Sequence, residues 1–140
     1  MNTATLESFS TLEWGRVDLS RVPHVPVPPP GPQSKQLHDR CTKYFKGLSS
    51  QVKLFPVSFE SGRGCVLRDV DGNDYIDFSS GIYVTTLGHC HPKISEAIAK
   101  AASQLMNAHD FTTPIKTALM EKLAQVLPGD LNGFQLYDSG

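Results

Sequence analysis

What this sequence has little of narrows its reading before any motif is considered. Cysteine is sparse: Cys41, Cys65 and Cys90 are odd in number and far apart. That argues against a disulfide framework and makes a reducing cytosol the expected compartment. No sign of charge dominates. The net charge is −1 with acids and bases interspersed, so there is no basic stripe for nucleic acid or an anionic membrane. No apolar run approaches the roughly 20 residues of a membrane span. The first residues, MNTATLESFSTLEW, carry acids early, lack an apolar core and are poor in arginine, so neither a secretory nor a mitochondrial address is expected. Large anchors are few, and Trp14 is the single tryptophan. Residues 1–20 read as a loose tail, or as an arm that docks Leu12 and Trp14 on a partner subunit.

Proline, by contrast, is concentrated. Residues 21–33, RVPHVPVPPPGPQ, form a proline-rich linker in which each ring fixes its own φ and pushes its predecessor out of the α region. An extended spacer is expected, with an SH3-type ligand as the other use of such a stretch. At 140 residues the chain has the length of one ordinary domain, which would bury roughly 70% of its unfolded surface. With residues 1–33 set aside, what remains is thin for a self-sufficient domain built on parallel strands.

Ser34 reads as the N-cap of a helix over 35–47, with Leu37, Cys41, Tyr44 and Phe45 at helical spacing and Gly47 as its stop. Residues 52–59 alternate, but Pro56 demotes them to an edge or irregular strand. Ser61-Gly62-Arg63-Gly64 reads as a turn; it lacks the Lys-Ser/Thr of a phosphate-cradling loop. Strands over 65–69 and 74–78 flank Asp71-Gly72, a hairpin signal because glycine supplies positive φ. At least one of Tyr75 and Ile76 should be core. His89-Cys90-His91 invites a metal reading, but no further Cys/His cluster completes a tetrahedral set. Pro92 opens a helix to about residue 107 with the stripe Ile94, Ala97, Ile98, Ala101, Leu105 and Met106. Thr113-Pro114 starts another, ended by Pro128-Gly129. Residues 134–137 read as a buried strand, and Asp138-Ser139-Gly140 as the turn beyond it.

Taken together and in order, certain of these residues resemble the N-terminal part of the class III pyridoxal-phosphate aminotransferases, the family of ornithine, acetylornithine, 4-aminobutyrate and other ω-amine transaminases. The residues that carry the resemblance are Pro56-Val57-x-Phe59, Gly62-x-Gly64, Val70-Asp71-Gly72-Asn73-x-Tyr75-Ile76-Asp77-Phe78, Ser80-Gly81-Ile82, Gly88-His89-Cys90-His91-Pro92 and Ser139-Gly140. The match covers about residues 50–140.

The resemblance implies an α/β fold, here a fragment of the type I architecture of pyridoxal-phosphate-dependent transferases. Residues 1–33 would be the arm, and 34–106 the N-terminal helix, the antiparallel hairpin of the small domain and a segment of pocket wall. Residues 107–140 would begin the large, mostly parallel cofactor-binding domain. It implies pyridoxal 5′-phosphate as cofactor, with Ser139 and Gly140 opening the loop that holds its phosphate. It places Gly81 and Ile82 at the wall of the substrate pocket, with isoleucine where ornithine-type members have tyrosine. Tyr83 is an added candidate, either hydrogen-bonding substrate or buried as a core tyrosine.

The activity implied is transfer of an amino group between an amine or ω-amino acid and a 2-oxo acid, by a cytoplasmic homodimer. No lysine here matches the one that forms the Schiff base, so the 140-residue chain alone is expected to be inactive. The alternatives are a truncated aminotransferase-like chain that binds a full-length subunit, and an aminomutase of the same fold.

Overall fold

The computed structural model describes residues 16–137. The chain divides into two compact units, one ending at Ile98 and one beginning at Ala99.

The first unit is built on a three-stranded antiparallel sheet in the order β1 (Phe59–Arg63), β2 (Val66–Asp69), β3 (Asp74–Ile76). The β1–β2 register pairs Gly62 with Leu67 and Arg63 with Val66, and shifts between Phe59 and Ser61. The residues read as a turn, Ser61 to Arg63, therefore lie inside β1, and the corner falls at Gly64-Cys65. Glycine did not stop the strand because Gly62 leaves room for the His89 ring: a Cβ there would stand 2.9 Å from His89 Cγ. The β2–β3 hairpin turns at Asp71-Gly72 as expected. Gly72 N–H donates to the Asp69 carbonyl at 3.1 Å, and Gly72 itself sits at φ +86°. Phe59 and Tyr75 meet edge to face with ring centroids 5.8 Å apart.

Upstream, the structure corrects three expectations. Helix α1 spans Pro32–Thr42, starting before and ending sooner than 35–47. Its N-cap is Gly31, and Ser34 is a buried residue of the first turn. The cap comes from far along the chain: the Asp71 carboxylate accepts the N–H groups of Gln33 (2.8 Å) and Ser34 (2.9 Å). A negative group there also complements the helix dipole. Gly31 is required for this approach, since a Cβ would fall on the Asp71 carboxylate. At the other end Lys46 Nζ donates to the Thr42 carbonyl at 2.7 Å. Of residues 52–59 only Phe59 belongs to a strand, as the start of β1: α2 occupies Ser50–Leu54, capped by Ser49 Oγ, and ends ahead of Pro56.

The proline-rich stretch is not a free spacer. His24 and Asp74 exchange backbone hydrogen bonds of 2.9 and 2.7 Å, and Val27 N–H donates to Asn73 Oδ1 at 2.9 Å. Residues 24–31 thus form a strap along β3 and the hairpin tip. The best-buried side chains of the unit are polar: Ser34, Asp69 and Asn73. Asp69 accepts from Asn73 N–H (2.8 Å), Asn73 Nδ2 (2.8 Å), Asp71 N–H (3.0 Å) and Tyr75 Oη (2.8 Å). Burial opposes its charge, but these donors outweigh burial and hold the carboxyl below its ordinary value. Burial first, and then the bond to Asp69, push the Tyr75 hydroxyl up to about 12.

Helix α4 (Pro92–Gln104) runs across the division between the units, and α5 (Pro114–Val126) lies in the second. Thr113 caps α5, its Oγ1 accepting from Lys116 N–H at 3.2 Å, in the cap-then-proline pattern expected. Helix α4 ends sooner than the expected residue 107, and the apolar stripes of the two helices are not covered: Ile94, Ile98, Ile115, Leu119 and Val126 are all exposed, as is Leu105 just past α4. Among the described residues no apolar side chain is fully buried, Tyr75 and Ile76 included. Residues 134–137 form no strand. A strand exists only through a hydrogen-bonded neighbour, and the described residues offer none there.

Candidate functional site

Past β3 the chain enters an unusual conformation. Helix α3 (Ser80–Tyr83) is a single left-handed turn, with φ of +49° at Ser80, +59° at Gly81, +61° at Ile82 and +65° at Tyr83. Only glycine adopts this region without cost, and for a β-branched residue such as Ile82 it is an outlier. Ile82 and Tyr83 are 78% and 82% exposed, so packing does not impose it. Tyr83 is therefore not a core tyrosine in this structure.

The turn is fixed at its base. Asp77 Oδ1 accepts the N–H groups of Ser79 (2.8 Å) and Ser80 (3.0 Å), and Oδ2 meets His89 Nε2 at 2.7 Å. The bond to His89 is the foremost cause holding the Asp77 carboxyl below its ordinary value, against partial burial and with help from the two amides. An ionised carboxylate only accepts, so His89 Nε2 carries the hydrogen. His89 is in turn paired through its backbone with Gly64, by bonds of 2.8 and 3.1 Å. Among the described residues no group of three or more His, Cys, Asp or Glu that could hold a metal ion occurs.

Beside the turn lies a cavity of about 230 Å³ lined by Gly64, Cys65, Asp77, Ser80, Thr85 and Gly88. Thr85 Oγ1 is buried without a hydrogen-bond partner. A larger cavity, about 640 Å³, is lined by Arg21, His24, Arg68, Gly72 and Asp74 among others and by none of Gly81, Ile82 and Tyr83. There Arg68 and Asp74 neutralise each other through two bonds of 2.7 Å. The structure brings Gly81, Ile82 and Tyr83 together on one turn; Ser139 and Gly140 lie outside the described residues, as do Leu12 and Trp14. The sequence pattern marked the glycines and His89 but missed the Asp77–His89 contact, because twelve residues separate the two. Their one signal was membership of the same ordered set of motifs.

Residues 48–140 match the family model described as Aminotransferase class-III. The chain belongs to that family. An acetylornithine aminotransferase of Clostridium acetobutylicum is 49% identical over 64 residues, covering 46% of this chain and 16% of its own. An alanine/serine racemase of Pyrococcus horikoshii is 35% identical over 115 residues, 80% of this chain and 24% of its own. A solved structure described as a transaminase with PLP bound superposes with a TM-score of 0.58 at 31% identity, over 66% of this chain and 23% of that one. The class III assignment thus rests on sequence and fold together. The chain spans about a quarter or less of the length of these relatives.

Proposed function

We propose that this chain forms the N-terminal portion of a pyridoxal-phosphate-dependent aminotransferase that moves an amino group between an amine or ω-amino acid and a 2-oxo acid. One observation carries the reading: inside the class III match, the left-handed turn presents Gly81, Ile82 and Tyr83 to solvent beside a cavity. Strained backbone with exposed side chains points to function rather than stability. On this reading Gly81 and Ile82 give the substrate pocket an apolar wall, and the Tyr83 hydroxyl is available to a polar group of the substrate. The full protein is proposed to be a cytoplasmic homodimer; among the described residues no helix is long and apolar enough to cross a membrane. Residues 1–33 would serve as its arm, 34–106 as the small-domain and pocket-wall segment, and 107–140 as the start of the cofactor domain.

Pyridoxal phosphate, when bound, supplies the electron sink for amino-group transfer. The described residues do not fit it by themselves. Seven of the described lysines are exposed. The half-buried one, Lys116, directs Nζ at the carbonyls of His109 (2.6 Å) and Phe111 (3.1 Å). Ser139 and Gly140 are the proposed phosphate contacts. The 140-residue chain mixed with pyridoxal phosphate is therefore expected to yield no borohydride-trapped adduct, and a stoichiometric adduct on one lysine overturns that. The intact mass of the native gene product is the companion measurement. A product several times 15.3 kDa that converts an ω-amine only when a 2-oxo acid is supplied supports the proposal.

The racemase relative, which aligns over more of the chain than the acetylornithine enzyme does, favours a second reading, amino-acid racemisation. Inversion of a chiral amino acid without any 2-oxo acid would select it.

A further inference from the structure

A left-handed turn in which three of four residues carry a Cβ does not hold itself; each such residue costs roughly 1–2 kcal/mol. Three stretches well apart in sequence converge on its base. Gly62, in β1, leaves the space that the His89 ring fills. Gly64, buried and at φ +57°, exchanges both backbone hydrogen bonds with His89. His89 then reaches Asp77 Oδ2, leaving Oδ1 for the amides of Ser79 and Ser80 that start the turn. Asp77 is itself tied to the sheet, its N–H donating to the Cys65 carbonyl at 2.8 Å.

We propose that Gly62, Gly64, Asp77 and His89 are one positioning device, a clasp that holds the Ser80–Tyr83 turn in its left-handed form and so sets where Ile82 and Tyr83 stand. The clasp gives Gly-x-Gly, Asp77 and Gly-His a single shared purpose. It rests on the reading that Gly81 and Ile82 wall the substrate pocket and Tyr83 offers its hydroxyl there, but its geometry is testable without any substrate. His89 is the titratable side chain bonded to Asp77, Cys65 lines the same cavity, and the sheet side presents Gly62 and Gly64.

The test is hydrogen–deuterium exchange of the full chain, followed by mass spectrometry, comparing peptides over residues 79–88 with peptides over the sheet. His89→Ala is expected to speed exchange of the turn amides by at least about tenfold, the loss of one charge-assisted hydrogen bond. Gly62→Ala should do the same by displacing the ring. His89→Gln keeps an N–H at the place of Nε2 and should restore most of the protection. A structural defect elsewhere would not distinguish the glutamine from the alanine variant.

A second measurement needs no variant. After correction for intrinsic rates, protection of the turn should persist as pH falls through the ordinary carboxylate range near about 4, and vanish only below it. Asp77 is depressed, so its contribution is present above that range and is lost as pH drops through the lower folded value. The clasp is overturned if His89→Ala leaves the turn protected while the sheet is intact. It is also overturned if glutamine fails as alanine does, or if the turn of the unsubstituted chain is unprotected at every pH. None of these outcomes bears on whether the parent enzyme transaminates.

Discussion

Single residues here do work that their neighbours in sequence do not reveal. Asp71 belongs to a hairpin turn, yet it caps a helix that begins at Pro32. Gly31→Ala keeps an accessible φ but drives a Cβ onto that carboxylate. We expect it to cost about 1–3 kcal/mol, as overpacking does, read as a lower urea midpoint with an unchanged slope. Tyr75 gives a pH signature. Its hydroxyl is raised to about 12 because burial and the Asp69 bond favour the neutral form. A raised acid stabilises the fold below its unfolded value of about 10 and loses that contribution as pH climbs toward the folded value. Tyrosinate absorbance should therefore show one of the four tyrosines ionising late, with unfolding overtaking the hairpin in the same interval. An early, uniform titration of all four would contradict the Asp69–Asn73–Tyr75 network.

At the level of elements, what was legible in the sequence depended on whether the deciding contact was local. The helices after Pro92 and Thr113 were readable to within a few residues, because proline, the threonine cap and the 3.6-residue stripe all lie within one stretch. The hairpin at Asp71-Gly72 was readable for the same reason. The N-cap at Gly31 and the extension of β1 through Gly62 were not, since each depends on a side chain more than 25 residues away, Asp71 and His89 respectively. The candidate site split along the same line. Gly81 and Ile82 were marked by the motif, with Tyr83 added beside them, while the left-handed turn that carries them was invisible, because isoleucine and tyrosine have no local preference for positive φ. The expected strand at 134–137 failed differently: its residues suit a strand, but pairing is a property of neighbours, not of the segment.

The whole molecule inverts the usual arrangement of a small protein. Among the described residues the buried side chains are Ser34, Asp69 and Asn73, while Phe78, Ile82, Tyr83, Val84 and Leu87 stand open along one stretch and the helices keep bare apolar stripes. Exposed apolar surface on that scale marks a contact face. The isolated chain should accordingly bind a hydrophobic dye and sediment as larger species with rising concentration. A dye-silent monomer at every concentration would show that these faces find cover within the chain.

The manner of that association is constrained by the strap. His24 occupies the outer side of β3 through its bonds with Asp74, and it lies between Pro23 and Val25, with Pro26 following. Proline has no N–H to offer a further strand. On that side the sheet therefore ends against a segment unable to template another, and growth by strand addition, the first step toward a fibril, is blocked at β3. At that edge, copies of this chain that meet are left with contact through side chains, the kind of contact that a correct partner can still displace.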